Sequence, residues 1–398
     1  MPGFTPATNI TLAAFVALCA VSTTSYALWT RQISPKDKKR IRKQLPVDLD
    51  SWRTQQGDDE IVTFAIRIWE TLRSTCLEHG YTIWPGTPNY NIYPPDWEHK
   101  LPLASGFTYE VPARTVKNAT VSKVSNVSVV RIRNAMSWPA STRDGHAVVI
   151  RVIKVHEEGK EHLDILRKLT TGMNSLWVPN HTLPMFAEIH LEDIVFGVFP
   201  KVGYGAENAY DMWAKNSVGD VLEMLMQMLE ALEFIHSLNI AHRDAWLDNF
   251  LVQWHPESML KKDISPSRPR VYLIDFEVAV QFPSEYTEEQ CLLRGLPLGG
   301  SFPDAKDYGR SIAPECETGE LHSPFKLDIW QLGTALEHFR TTFSNINTIL
   351  DGMIEENWRA RKGAADTLKA LKDEVYSIPP LMLLTGPDPE YLLYPEVP

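Results

Sequence analysis

Apolar positions change their spacing several times along the chain. Ile61, Phe64, Ile68, Trp69 and Leu72 recur at helical intervals and predict a helix over 60–78. Residues 120–132 and 147–154 are rich in Val and Ile, with Asp144-Gly145 between them as a turn signal, and predict strands. A helix is expected over 158–169 and a short buried strand over 194–199. From 218 the style changes: Val221, Leu222, Leu225, Met228, Leu229, Leu232 and Ile235 make the apolar face of a long helix. Short strands at 250–253 and 271–274 follow, then a loop-rich stretch to about 314. Helices are expected at 325–339, 346–356 and 364–374. The 85–102 stretch, rich in Pro, Asn and aromatics, reads as a linker, and the tail from Ile378, with six prolines, as extended chain. Strands first and helices later imply an α+β protein with two lobes.

Charge adds a second pattern. No charged residue precedes Arg31, and 10–29 is long enough for a helix crossing ~30 Å of hydrocarbon. Residues 31–43 then carry seven basic side chains (Arg31, Lys36, Lys38, Lys39, Arg40, Arg42, Lys43) against Asp37. This basic collar, with Tyr26 and Trp29 at the headgroup level, predicts a single-pass membrane anchor with the body in the cytosol. A cleaved signal peptide ending at Ser25-Tyr26-Ala27 and an ordinary buried helix are the alternatives, the latter leaving a cytoplasmic protein. Sequons at Asn9, Asn118, Asn126 and Asn180 would matter only in a secretory lumen.

The chain of 398 residues is 44% hydrophobic and has a net charge of −11, which excludes wholesale disorder and a general nucleic-acid binder. Cys19, Cys76, Cys291 and Cys316 are too scattered for a zinc site or a disulfide framework.

The chemistry concentrates in two short blocks. Asp244 follows the long helix, with Asn249 five residues on; Asp275 closes the apolar run Leu273-Ile274, 31 residues after Asp244. One candidate base and two oxygen ligands for a hard cation such as Mg²⁺ are the set that phosphoryl transfer requires.

His242-Arg243-Asp244-Ala245-Trp246-Leu247-Asp248-Asn249 resembles the H-R-D-x-x-x-x-N catalytic loop of the eukaryotic protein kinase family. Asp275-Phe276-Glu277 is similar to its D-F-G, Ala313-Pro314-Glu315 to its A-P-E, and Asp328-Ile329-Trp330 with Gly333 to its D-x-W-x-x-G. Arg361 falls where the family pairs an arginine with the A-P-E glutamate. The pattern is also similar to a divergent fungal kinase-like group, and covers about 111–376. The resemblance implies a two-lobed kinase-like fold: a β-rich N-lobe over 111–202 and a larger helical C-lobe over 203–376. These would follow the hydrophobic segment 1–30 and the collar and linker 31–110, and precede the Pro-rich tail 377–398.

It further implies Asp244 as catalytic base, Asn249 and Asp275 as Mg²⁺ ligands, and Arg243 as anchor of the activation segment, through a phosphate on Thr287, Ser301 or Ser311. ATP would be held by Arg151, Glu161 and the hinge residues Phe199, Pro200 and Val202. The other partners implied are a protein substrate and, through the N-terminus, a membrane. Glu315, Arg361 and Asp328 would be structural, and His242 a packed core residue.

Several positions depart from the family pattern. Residues 111–135 contain no glycine, so backbone amides cannot cradle phosphates in the usual way. Arg151 stands for the lysine of V-A-I-K, and Lys154 points to the other strand face by period two. Glu158 lies one turn from Glu161. Trp246 replaces a catalytic-loop lysine and Glu277 a glycine. Three functions follow: an active Ser/Thr-type protein kinase using Mg-ATP; a pseudokinase that binds or scaffolds; or a small-molecule phosphotransferase, since Ile274-Asp275-Phe276-Glu277 also resembles choline-kinase-like enzymes. The A-P-E triplet argues against the last.

Overall fold

Ser34 accepts the Asp37 backbone N–H at 3.1 Å and Pro35 follows it, so the basic stretch opens as a capped helix, α1 (Pro35–Arg42). The computed structural model describes residues 33–53, 58–87, 91–92, 130–202, 204–206, 217–253 and 270–386. After α1 come α2 (Leu49–Arg53), α3 (Asp58–Glu78) and β1 (Tyr81–Ile83). Then β2 (Asn91–Ile92) pairs antiparallel with β3 (Val130–Arg131). The strands β4 (Ser137–Thr142) and β5 (Ala147–Val155), helix α4 (Lys160–Thr170), and strands β6 (Ala187–Leu191) and β7 (Ile194–Pro200) follow. Five strands form an antiparallel sheet in the order β1-β4-β5-β7-β6.

This sheet has apolar cover on both faces, which is why β7 reads as an unbroken apolar run and is buried throughout. Ile194, Phe196 and Val198 enter one core, with Trp52, Trp69 and Trp138. Val195 and Phe199 enter the other, with the long helix of the second half. In β5, Val149, Arg151 and Ile153 alternate onto the face of the second core, and a register shift between Val152 and Lys154 returns Val155 to the first core.

The second half begins with β8 (Tyr204–Gly205) and the helix α5 (Val218–Ser237), started by a Ser217–Asp220 capping box. Then come β9 (Ile240–Ala241), β10 (Phe250–Gln253), β11 (Arg270–Leu273), β12 (Val280–Gln281), β13 (Leu293–Arg294), α6 (Pro314–Glu317), β14 (Leu321–His322), α7 (Pro324–Ala335), α8 (Ser344–Met353) and α9 (Ala364–Ser377). The strands β11-β10-β8 form a small sheet beside α5, and α9 packs along α5. The molecule is a mixed α+β protein of an antiparallel sheet and helices.

The periodic helices lie close to their expected ranges. Differences fall at ends and at strands without alternation. The helix expected from 158 starts at Lys160, because Gly159 holds φ +79° and a Cβ there would meet the Ile153 carbonyl oxygen. Pro139 hid β4, whose Trp138 and Ala140 are buried. Of the strand expected over 120–132, residues 120–129 lie outside the described residues, as does most of the 85–102 linker.

The membrane reading is corrected. Among the described residues no helix is long and apolar enough to cross a membrane. This overturns the single-pass topology and the membrane as partner; the 10–29 stretch itself lies outside the described residues. Part of the collar is engaged within the protein. Ile41 and Leu45 are buried in the first core, and Arg42 pairs with Asp193 at 2.6 Å. Lys38 pairs with Glu78 at 3.6 Å and Arg40 with Asp37 at 3.0 Å.

Candidate functional site

A cleft of about 180 Å³ opens into the second core, between the sheet strands β5 and β7 and the smaller strands β10 and β11. Phe199, Pro200 and Val202 line it from the end of β7, Val149 and Arg151 from β5, Leu251 from β10, and Asp275 and Phe276 from the segment after β11. The three residues expected at the hinge thus share one wall with the strands that carry the polar groups.

The loop after β9 is built from inside. Asp328 on α7 is fully buried and accepts from the backbone N–H of His242 at 2.9 Å and of Arg243 at 2.6 Å, and bonds His236 at 2.8 Å. Gln331, one turn on, accepts from Ala245 N–H at 2.9 Å and donates to the Arg243 carbonyl at 2.8 Å. These bonds offset the left-handed φ of +68° at Arg243. His242 is buried. Its Nδ1 accepts from Asp244 N–H, leaving Nε2 to donate to the Ile274 carbonyl at 2.9 Å, and its ring packs edge-on against Phe276. One histidine therefore ties the Asp244 loop to the Asp275 segment.

Asn249 ties them again. Its Nδ2 donates to Asp244 Oδ2 at 2.6 Å and to the Asp244 carbonyl at 2.8 Å. Its own carbonyl accepts from Ile274 N–H at 2.9 Å, one residue before Asp275. Among the described residues its Oδ1 accepts no hydrogen bond. Asp275 adopts a left-handed φ of +65°, which turns its carboxylate back toward β5.

Arg151 Nη2 donates to both Asp275 oxygens, at 2.8 and 3.0 Å, and lies 3.5 Å from Glu277 Oε2. Burial pushes the Asp275 carboxyl well above the ordinary carboxylate range; Arg151 opposes this, while Glu277 adds to it. Glu277 is buried too, but Arg151, Arg53 and hydrogen bonds from Ser301 outweigh that burial and hold it below the usual range. Glu161 lies on the exposed face of α4, away from Arg151. His162 faces the cleft instead, kept neutral by burial and by Arg151, with its pKa lowered to about 3. Glu158 accepts the Leu49 backbone N–H at 2.8 Å and so holds the start of α2. Lys154 lies near Glu157 at 3.9 Å.

Two arginines in the site had no signal in the sequence. Arg53, from α2, donates to Glu277 Oε2 at 3.0 Å, across 224 positions of chain. Arg310 lies five residues before Glu315 and reaches Asp244. Its Nε donates to Oδ1 at 3.2 Å, and its Nη2 to Oδ2 at 3.3 Å and to Asp248 at 2.9 Å. The guanidinium lies over the Trp246 ring, 5.7 Å from its centre. Burial raises the Asp244 carboxyl and Arg310 opposes the rise.

Arg243 donates to the carbonyls of Val278 at 3.1 Å and Leu296 at 3.3 Å, so it holds the segment after Asp275 through its backbone. Of the candidate phosphate carriers, Ser301 donates to Glu277, Thr287 closes a capping box with Gln290, and Ser311 is exposed. Glu315 and Arg361 form a buried bidentate pair at 2.6 and 3.1 Å.

Asp244, Asn249 and the segment that carries Asp275 are thus tied together beside a cleft in an α+β fold. No family model matches the chain. Over 126 residues it is 30% identical to the serine/threonine-protein kinase oca2 of Schizosaccharomyces pombe, covering 30% of this chain and 16% of that protein. Over 108 residues it is 32% identical to the serine/threonine-protein kinase ppk8 of the same yeast, covering 27% and 17%. The chain thus spans about a sixth of the length of the curated relatives it matches. This distant similarity supports a protein-kinase-like family and a kinase-like function at that level.

Proposed function

We propose that this protein is a divergent, protein-kinase-like phosphotransferase that moves the γ-phosphate of ATP to a Ser or Thr hydroxyl of a protein. Residues 111–202 would form its N-lobe and 203–376 its C-lobe. The observation that carries the reading is Asn249, whose side chain holds Asp244 while its backbone holds the strand end that presents Asp275. Asp244 would accept the hydroxyl proton. Asn249 Oδ1 and the Asp275 carboxylate are hard oxygen donors that suit Mg²⁺ and would hold it. When bound, that ion would neutralise charge on the transferring phosphate. The base of the nucleotide would lie against Phe199, Pro200 and Val202, where Val202 can donate a backbone N–H and Pro200 can only accept.

A second reading rests on its own observation. Both functional carboxylates are engaged by arginines, Asp244 by Arg310 and Asp275 by Arg151. A pseudokinase that binds nucleotide without turnover would tolerate that arrangement. Labelled Mg-ATP separates the two. An active enzyme incorporates phosphate into itself or a generic acceptor, and Asp244→Asn or Asp275→Asn lowers the rate about 100-fold or more. Nucleotide binding without incorporation establishes the second reading, and incorporation indifferent to Asp244→Asn removes this residue as the base.

A further inference from the structure

Glu277 Oε2 receives two guanidinium groups, Arg53 Nη2 at 3.0 Å and Arg151 Nη2 at 3.5 Å. The Nε atoms of both arginines are buried and have no hydrogen-bond partner among the described residues. A pair of convergent guanidinium groups with unused N–H donors is built for oxyanions, and phosphate above all. The usual backbone cradle cannot come from residues 111–135, which hold no glycine. Arg53 is not a stray surface contact. Its helix is fixed at the start by the Glu158–Leu49 bond and at Trp52, which is fully buried against Trp69 and Phe196. Arg151 is already a wall of the cleft.

We propose that Arg53 and Arg151 together form a phosphate-binding site at the edge of the cleft, with Glu277 as their shared counter-ion until a nucleotide arrives. The proposal deepens the kinase-like reading and rests on it. The N-terminal helix α2, outside the region of kinase resemblance, is then part of the nucleotide site. The sequence of events needs no new group. When Asp275 turns to a cation, Arg151 Nη2 is released, and a triphosphate supplies the oxygens that both guanidinium groups lack.

Calorimetry on the full chain, with Mg-ATP and with adenosine as separate probes, tests this. Arg53→Ala weakens Mg-ATP at least tenfold and leaves adenosine unchanged. Arg53→Lys, which keeps one charge and the fold, recovers part of the loss. Equal binding of Mg-ATP by wild type and Arg53→Ala overturns the site while the kinase-like reading stands. Parallel loss of Mg-ATP and adenosine with a lowered melting point shows Arg53 to be structural only, which also overturns it. A wild type that binds neither probe overturns both. Intact arginine dependence of Mg-ATP binding without any phosphate transfer removes the enzyme reading and leaves the site standing.

Discussion

Asp275 and Glu277 are two residues apart and titrate in opposite directions. Burial raises Asp275, so the folded protein holds its proton more tightly than the unfolded chain does. Ionising it therefore costs stability, and the cost is relieved as pH falls through its raised pKa. Glu277 is held low by Arg151, Arg53 and Ser301 against its burial. Its contribution is present above the ordinary carboxylate range and is lost as pH falls below it. In the proposed mechanism the first effect governs, because Mg²⁺ would bind only ionised Asp275. Mg-ATP affinity is expected to fall at mildly acidic pH, where an ordinary aspartate would remain charged. A calorimetric pH series checks this, with Asp275→Asn giving a weaker and flatter profile.

At the scale of elements, the segment between β11 and α6 carries both the site's second carboxylate and its obstruction. Arg243 grips the backbone at Val278 and Leu296, and further along the same segment Arg310 returns to cover Asp244. With Arg310 on both oxygens and Asn249 on one, the Asp244 carboxylate has little room for the substrate hydroxyl that the proposed function brings to it. Arg310→Ala is expected to raise autophosphorylation several-fold over wild type, read as labelled phosphate per minute. A fall instead would mean that the guanidinium helps to position the base, supplying the charge that Trp246 cannot.

At the scale of the whole molecule, one aromatic group joins the N-terminal segment to the sheet. Trp52 meets Trp69 and Phe196 edge-on at 6.5 and 6.0 Å, and Trp69 stacks on Trp138 at 6.0 Å. Trp52→Ala is expected to cost about 3–5 kcal/mol, seen as a lower urea midpoint. Because the same helix carries Arg53, that loss would reach the cleft as well.

Local chemistry in the sequence determined the long helices, the buried strand β7, and the order Asp244, Asn249, Asp275, because periodicity and turn residues act over a few positions. The Glu315–Arg361 pair was what the kinase resemblance implied. The tertiary structure alone decided which charges meet. Glu161, the candidate that the resemblance implied, lies on the exposed face of α4, and Glu277, at the position where the family's motif has glycine, became a counter-ion of Arg151. Arg53 and Arg310 carried no local mark, since an arginine's partner is set by where a distant backbone delivers it. The apolar run at 10–29 suggested a membrane that no described helix supports. Hydropathy counts side chains along a line, whereas burial depends on what packs around them.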